Sequence, residues 1–125
     1  MCGIAGIVHL RQQPIPRLEV KLEAMSALIA HRGPDGKGVW CNADGSVGLA
    51  HRRLSIIDLT ETGAQPMKGA NGTVITQNGE IYNYLELQKT LGSRWPFRGT
   101  SDTETILAAY CSCLLYTSPS PRDRS

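Results

Sequence analysis

No stretch of the sequence approaches the roughly 18 consecutive apolar residues that a membrane helix needs. Charge of one sign is also lacking: 13 basic against 11 acidic side chains leave a formal net charge of +2. That balance gives no electrostatic footprint for nucleic acid or for an anionic membrane surface. The opening run Met1 to Val8 is apolar, but it has no basic n-region and breaks at His9, so it makes a poor secretory signal. Cys2, Cys41, Cys111 and Cys113 form no C-x-x-C pair and have no histidine at ligand spacing, which argues against a structural zinc. A leaderless chain of this size is a poor setting for a disulfide framework. No repeat recurs at a solenoid period. The expectation is a soluble, cytoplasmic protein with four free thiols.

What is there is ordinary globular material. The chain has 125 residues, of which 41% are hydrophobic and 19% charged, enough for one domain or part of one. Residues 3–10 read as a short buried strand thinned by Gly3 and Gly6. From Arg17 to His31 the positions Leu18, Leu22, Met25, Leu28 and Ile29 recur at helical spacing, until Gly33-Pro34-Asp35-Gly36 ends the helix. Gly38 to Cys41, a turn at Asn42-Ala43-Asp44-Gly45, and Val47 to Leu49 predict a hairpin. Arg53 to Leu59 reads as extended, Thr73 to Gln77 as a strand entered from Asn71-Gly72, and Tyr84 to Leu91 as a short helix. Ser101-Asp102-Thr103-Glu104 has the S-x-x-E pattern of a capping box and opens a last helix, Thr105 to about Cys111. Strands mixed with helices, without regular βαβ alternation, predict an α+β sandwich. Residues 114–125 break the pattern: Pro119 and Pro121 interrupt them and no periodicity continues. They resemble a translated sequencing-adaptor end, and the domain is expected to occupy 1–113.

Cys2 is the position where chemistry concentrates. A small residue after Met1 permits removal of the initiator methionine. Cys2 would then carry a free α-amine with a reference pKa of about 7.7–8.0. That amine lies within reach of its own Sγ and can take the thiol proton, so nucleophile and base reside in one residue. From Met1-Cys2 alone, a buried cysteine that happens to be second is the better reading. The sequence around it changes that balance.

Met1-Cys2-Gly3-Ile4-Ala5-Gly6, His31-Arg32-Gly33-Pro34-Asp35-Gly36, His51-Arg52-Arg53-Leu54-Ser55-Ile56-Ile57-Asp58, Asn78-Gly79-Glu80-Ile81-Tyr82-Asn83 and Ser101-Asp102-Thr103-Glu104 follow one another in compact order. This set resembles the N-terminal glutaminase domain of glutamine-hydrolysing asparagine synthetase, a class II glutamine amidotransferase with an N-terminal nucleophile. The resemblance runs from Met1 to about Cys111. It implies a four-layer αββα sandwich, incomplete here because the family's domain continues with further strands. It also implies a C-terminal synthetase domain that binds ATP and magnesium; no cofactor is expected on the present residues. The expected partners are glutamine, that synthetase domain, and a second copy of the parent protein.

The resemblance also implies roles. Cys2 matches the nucleophile; the Asn78 side-chain amide and the Gly79 backbone N–H match the oxyanion donors. Taken alone, Asn-Gly is the preferred type I′ hairpin turn, and a sharp turn could present one N–H into a site. Arg53 matches the clamp on the substrate α-carboxylate, where a planar fork binds bidentately; by itself it reads as a solvated strand-end arginine. Asp102 matches the partner of the substrate ammonium; by itself it reads as an acid favoured in a helix's first turn. Glu80 and Ile57 are expected to line the same pocket. The motif at His31 to Gly36 is expected to form the wall near the nucleophile and is not a phosphate loop, since no Gly-Lys-Ser/Thr follows. His9, His31 and His51 are expected to pack or to face solvent, because the α-amine already supplies a base. The implied parent reaction converts aspartate, ATP and glutamine to asparagine, AMP, pyrophosphate and glutamate. Two alternatives remain: an amidotransferase of the same kind serving another acceptor in peptide or surface-polysaccharide biosynthesis, and a noncatalytic module that senses glutamine.

Overall fold

A computed structural model describes residues 2–54, 63–69, 72–99 and 101–117, with residues 114–117 described only as helix backbone. The elements run β1 (Gly3–Val8), α1 (Leu18–Leu28), a 3₁₀ turn (Ala30–Arg32), β2 (Gly36–Cys41), β3 (Val47–Arg53), β4 (Met67–Lys68), β5 (Val74–Ile75), α2 (Tyr84–Leu91) and α3 (Asp102–Thr117). β1, β3 and β2 form an antiparallel sheet in that spatial order, and β4 pairs antiparallel with β5. The fold is therefore mixed α and β with antiparallel sheets.

The central strand β3 divides the molecule. Successive side chains of a strand point to opposite faces. Ala50 is buried with Leu18 and Leu22, against which Ala5, Ile7, Val39 and Cys41 also pack. Gly48 lies on the same face, where a Cβ would stand 2.5 Å from Leu22 Cδ1, so α1 can approach only a strand with no side chain there. Arg52 completes this face by donating from Nε to Ser26 O (3.1 Å) and Ser26 Oγ (2.8 Å). A cation thus satisfies a carbonyl in the last turn of α1, where the helix dipole is negative. The buried stripe of the helix is Leu18, Leu22 and Ser26, while Leu28, expected to face the core, is 77% exposed.

The opposite face of β3 meets the rest of the chain. His51, 1% exposed, reaches Gln77 O at 3.0 Å. Beside it, Gly38 admits the Gln65 carbonyl oxygen to a position that any Cβ would occupy. α1 and the segment carrying Gln77 therefore lie on opposite faces of the three-stranded sheet. A second apolar cluster, Met67, Leu107 and Cys111 with Ile75 and Trp95, joins α3 to β4 and β5.

Several element limits differ from the sequence reading for identifiable reasons. α1 stops at Leu28 rather than His31, because Gly33 must pass against the Arg52 backbone, leaving room only for a 3₁₀ turn. β5 ends at Ile75 rather than Gln77, because the Gln77 N–H and C=O are engaged by Gln65 and His51 instead of by a strand. α3 starts at Asp102 and its backbone stays helical to Thr117, beyond the expected end near Cys111. The extended reading of Arg53 to Leu59 falls largely outside the described residues.

Candidate functional site

The site is assembled around the end of β3. Leu54, the residue after that strand, donates its N–H to Cys2 Sγ at 3.3 Å, and its carbonyl lies 3.7 Å from the same sulfur. Cys2 is partly buried, and its own carbonyl accepts from Arg32 Nε at 3.1 Å. The His31 to Gly36 motif thus touches the cysteine directly, and Asp35 N–H binds back to Arg53 O at 2.9 Å. Arg53 occupies the same face of β3 as His51, two residues on, or about 7 Å along the strand.

His51 then links this strand to the Asn78-Gly79 segment. A carbonyl only accepts, so the 3.0 Å contact with Gln77 O places a hydrogen on Nε2. Burial holds the His51 pKa below its ordinary value; the nearby Arg53 charge acts in the same direction and the Gln77 carbonyl opposes them. The imidazole is a neutral tether. Gln77 is held further by Gln65 Oε1, which accepts its N–H at 2.6 Å, and by the Thr103 hydroxyl, which donates to its Oε1 at 2.9 Å. Gln65 Nε2 closes the ring by donating to Thr103 Oγ1 at 3.0 Å.

Beyond this anchor, Asn78, Gly79 and Glu80 are exposed. They do not form the type I′ turn that Asn-Gly favours: that turn needs positive φ at both residues, whereas the left-handed glycines among the described residues are Gly45 and Gly72. The segment is shaped from outside instead. Ile81 N–H is accepted by Asp102 Oδ2 at 3.0 Å, so the three exposed residues span two fixed points. Asp102 is 7% exposed, and this contact uses only part of the acceptor capacity of its carboxylate.

The first turn of α3 organises all of this. Ser101 Oγ caps the helix by accepting Thr103 N–H at 3.1 Å. Asp102 holds the exit of the exposed segment and Thr103 its entry. Glu104, expected to reach back within a capping box, serves a wider set of donors. Its oxygens accept from Trp95 Nε1 (3.0 Å), Arg98 N–H (3.0 Å) and Gly99 N–H (3.1 Å).

Of the residues singled out from the sequence, Cys2 lies against Leu54, the residue that follows Arg53 at the end of β3. Asn78, Gly79 and Glu80 belong to the segment tied to that strand through His51, and Asp102, the first residue of α3, holds the far end of that segment. Ile57 lies outside the described residues. His51, Gln65, Gln77 and Thr103 were not anticipated as parts of this assembly. His51 and Thr103 stand inside two of the sequence motifs without a role in the site there, and no sequence signal marks Gln65 or Gln77. Among the described residues, no group of three or more His, Cys, Asp or Glu is placed to hold a metal ion, and no helix is long and apolar enough to cross a membrane.

Comparison with known proteins places this arrangement. Asparagine synthetase B (glutamine-hydrolysing) of Escherichia coli is 41% identical over 111 residues, covering 88% of this chain and 19% of that protein. Glutamine-hydrolysing asparagine synthetase 1 of Bacillus subtilis is 42% identical over 115 residues, covering 88% of this chain and 17% of the relative. The amidase chry2 of Gibberella zeae is 39% identical over 123 residues, again with 88% of this chain and 18% of the relative covered. The chain thus spans less than a fifth of the length of these curated relatives. The family model described as a glutamine amidotransferase domain matches residues 1–114, which include the cysteine, the β3 terminus, the Asn78-Gly79 segment and the start of α3: the chain belongs to the glutamine amidotransferase domain family.

Proposed function

We propose that this domain hydrolyses glutamine to glutamate and ammonia through a thioester on Cys2, and that the ammonia serves an ATP-dependent amidation of aspartate elsewhere in the complete protein. The observation that carries the reading is the Leu54 N–H directed at Cys2 Sγ at 3.3 Å. This donor fixes the sulfur at the end of β3, and as a thiolate that sulfur is the species that attacks a carbonyl carbon.

In this reading, loss of Met1 frees the Cys2 α-amine, which takes the thiol proton. Sγ then bonds to the carboxamide carbon of glutamine, and the carbonyl electrons move onto oxygen. The Asn78 side-chain amide and the Gly79 N–H receive that oxyanion. Collapse expels ammonia, which leaves with the proton held by the amine. Water then attacks the thioester through a second oxyanion and releases glutamate. Arg53 takes the substrate α-carboxylate, and the Asp102 carboxylate takes its ammonium; Glu80 and Ile57 line the pocket. The finer architecture proposed is the four-layer αββα sandwich, with α1 and α3 as its outer layers. ATP and magnesium act in a synthetase domain rather than on the residues described here, and the complete protein is cytoplasmic and homodimeric.

The identity shared with the Gibberella zeae protein named as an amidase supports a second reading, in which the same glutaminase chemistry serves another acceptor. The test is glutamate and ammonia release from glutamine by the complete protein and by its Cys2→Ala variant. Turnover abolished by the substitution is expected. Glutamine binding without turnover in the unsubstituted protein would establish a sensor instead.

A further inference from the structure

We propose that Thr103 and Gln77 form a side-chain clamp that positions the Asn78-Gly79 segment for oxyanion stabilisation, which makes both of them positioning residues; this rests on the glutaminase reading above. Gln77 immediately precedes Asn78, and three of its groups are fixed. Its N–H goes to Gln65 Oε1 at 2.6 Å, its carbonyl to His51 Nε2 at 3.0 Å, and its side-chain Oε1 to the Thr103 hydroxyl at 2.9 Å. Thr103 is 2% exposed, and its hydroxyl is used in both directions, accepting from Gln65 Nε2 while donating to Gln77.

The clamp addresses a specific difficulty. Asn78 and Gly79 are exposed and lack a tight turn that would define their geometry locally. Oxyanion stabilisation depends on donors aimed before the charge develops. A displacement of about 1 Å in such a group can cost on the order of 10²-fold in rate. The Ile81–Asp102 contact fixes the far end, but a segment tied at one end still swings. The Thr103–Gln77–Gln65 ring, together with His51 on the Gln77 carbonyl, supplies the second tie. It also makes adjacent residues of α3, Asp102 and Thr103, hold the two ends of the same segment.

The test is steady-state glutaminase kinetics of the complete protein carrying Thr103→Val, Thr103→Ser or Gln77→Met, with Asn78→Ala as reference. Thr103→Val preserves shape and removes the hydroxyl; kcat should fall about 10- to 100-fold with KM changed less than about twofold. Thr103→Ser should restore most of the rate. Gln77→Met removes the Oε1 acceptor with the rest of its amide but leaves the Gln65–Thr103 bond in place, so it should lower kcat in the same direction as Thr103→Val. The double variant should be no worse than Thr103→Val, because the shared Thr103–Gln77 contact is already gone there. Alkylation of Cys2 by iodoacetamide forms no oxyanion, so its rate and stoichiometry should stay at the unsubstituted level; a merely structural loss of active molecules would lower that stoichiometry. If Thr103→Val does not fold, Gln77→Met carries the same test. Unchanged kcat in a folded Thr103→Val or Gln77→Met, beside a large loss in Asn78→Ala, overturns the clamp alone. Full activity in Asn78→Ala overturns the oxyanion assignment and the clamp with it.

Discussion

The Cys2 sulfur is bracketed by the two backbone polar groups of Leu54, with the N–H at 3.3 Å and the carbonyl at 3.7 Å. The N–H donates to the sulfur, whereas the carbonyl can only accept. The Cys41 thiol is pushed up by burial, with Glu19 adding to the effect. Iodoacetamide at mildly alkaline pH should therefore modify Cys2 before Cys41 in the complete protein, and glutaminase activity should disappear with the first modification. Peptide mapping by mass spectrometry reads the order; activity surviving full alkylation of Cys2 would remove it from the chemistry.

If the proposed function holds, the same cysteine should uncouple its two halves. Cys2→Ala is expected to abolish asparagine formation from glutamine in the complete protein while preserving formation from added ammonium salts, because the proposed amidation needs ammonia from any source. Cys41→Ala, Cys111→Ala and Cys113→Ala should preserve both. Active enzyme that still carries Met1 would contradict activation by the α-amine.

Asp102 and Arg53 separate on kinetic grounds from the groups that hold charge only in the transition state. Asp102→Asn keeps an oxygen for the Ile81 N–H but removes the charge proposed to pair with the substrate ammonium. The KM for glutamine should rise at least about tenfold, corresponding to loss of roughly 1.4 kcal/mol of binding, with little change in unfolding midpoint. Arg53→Ala should also raise KM. Unchanged KM in either variant would leave that residue a structural part of its strand or helix.

His51 sets an acid limit on stability. Its folded-state pKa lies below the ordinary 6.5, mainly through burial. Above that value both folded and unfolded chains hold the ring neutral, and its contribution is fully present. As the pH falls through 6.5, the unfolded chain takes up a proton that the folded chain resists, so stability declines until the depressed folded value is passed. Denaturant midpoints should fall between about pH 7 and pH 5, and His51→Gln should flatten that segment of the curve. An equally steep decline in the variant would assign it to other groups.

Glu104 should be the costliest position in α3 to truncate. Its buried carboxylate serves the Trp95 Nε1, Arg98 and Gly99 donors. Glu104→Ala leaves these without that acceptor and should destabilise the protein by roughly 3–5 kcal/mol. Glu104→Gln should recover part of the loss. A shift below about 1 kcal/mol on chemical denaturation would show that water replaces the carboxylate at little cost.

Local periodicity revealed the elements well: α2 matches its sequence limits, and the β2–β3 hairpin turns where Asn42 to Gly45 suggested. Adjacent signals also brought out Cys2, Arg53 and Asp102, because each lies in a short distinctive motif. The supports could not be read in that way. The His51–Gln77 and Gln65–Thr103 contacts join residues far apart in sequence, and nothing in a histidine within a strand announces which carbonyl it will meet. Asn78-Gly79 misled for the converse reason: a strong local turn preference is overridden by the tethers on either side.

The alternation along β3 assigns neighbouring positions to different selective pressures. Gly48, Ala50 and Arg52 face α1, where the constraint is volume and a helix end. His51 and Arg53 face the segment that carries the proposed chemistry. A library of every single substitution, scored once for abundance and once for turnover, should therefore oscillate with a period of two residues along this strand. Changes at 48, 50 and 52 should appear in the abundance score, and those at 51 and 53 should weigh more heavily on turnover. The pleat of one strand keeps the record of folding and the record of the proposed chemistry on alternate letters of the same word.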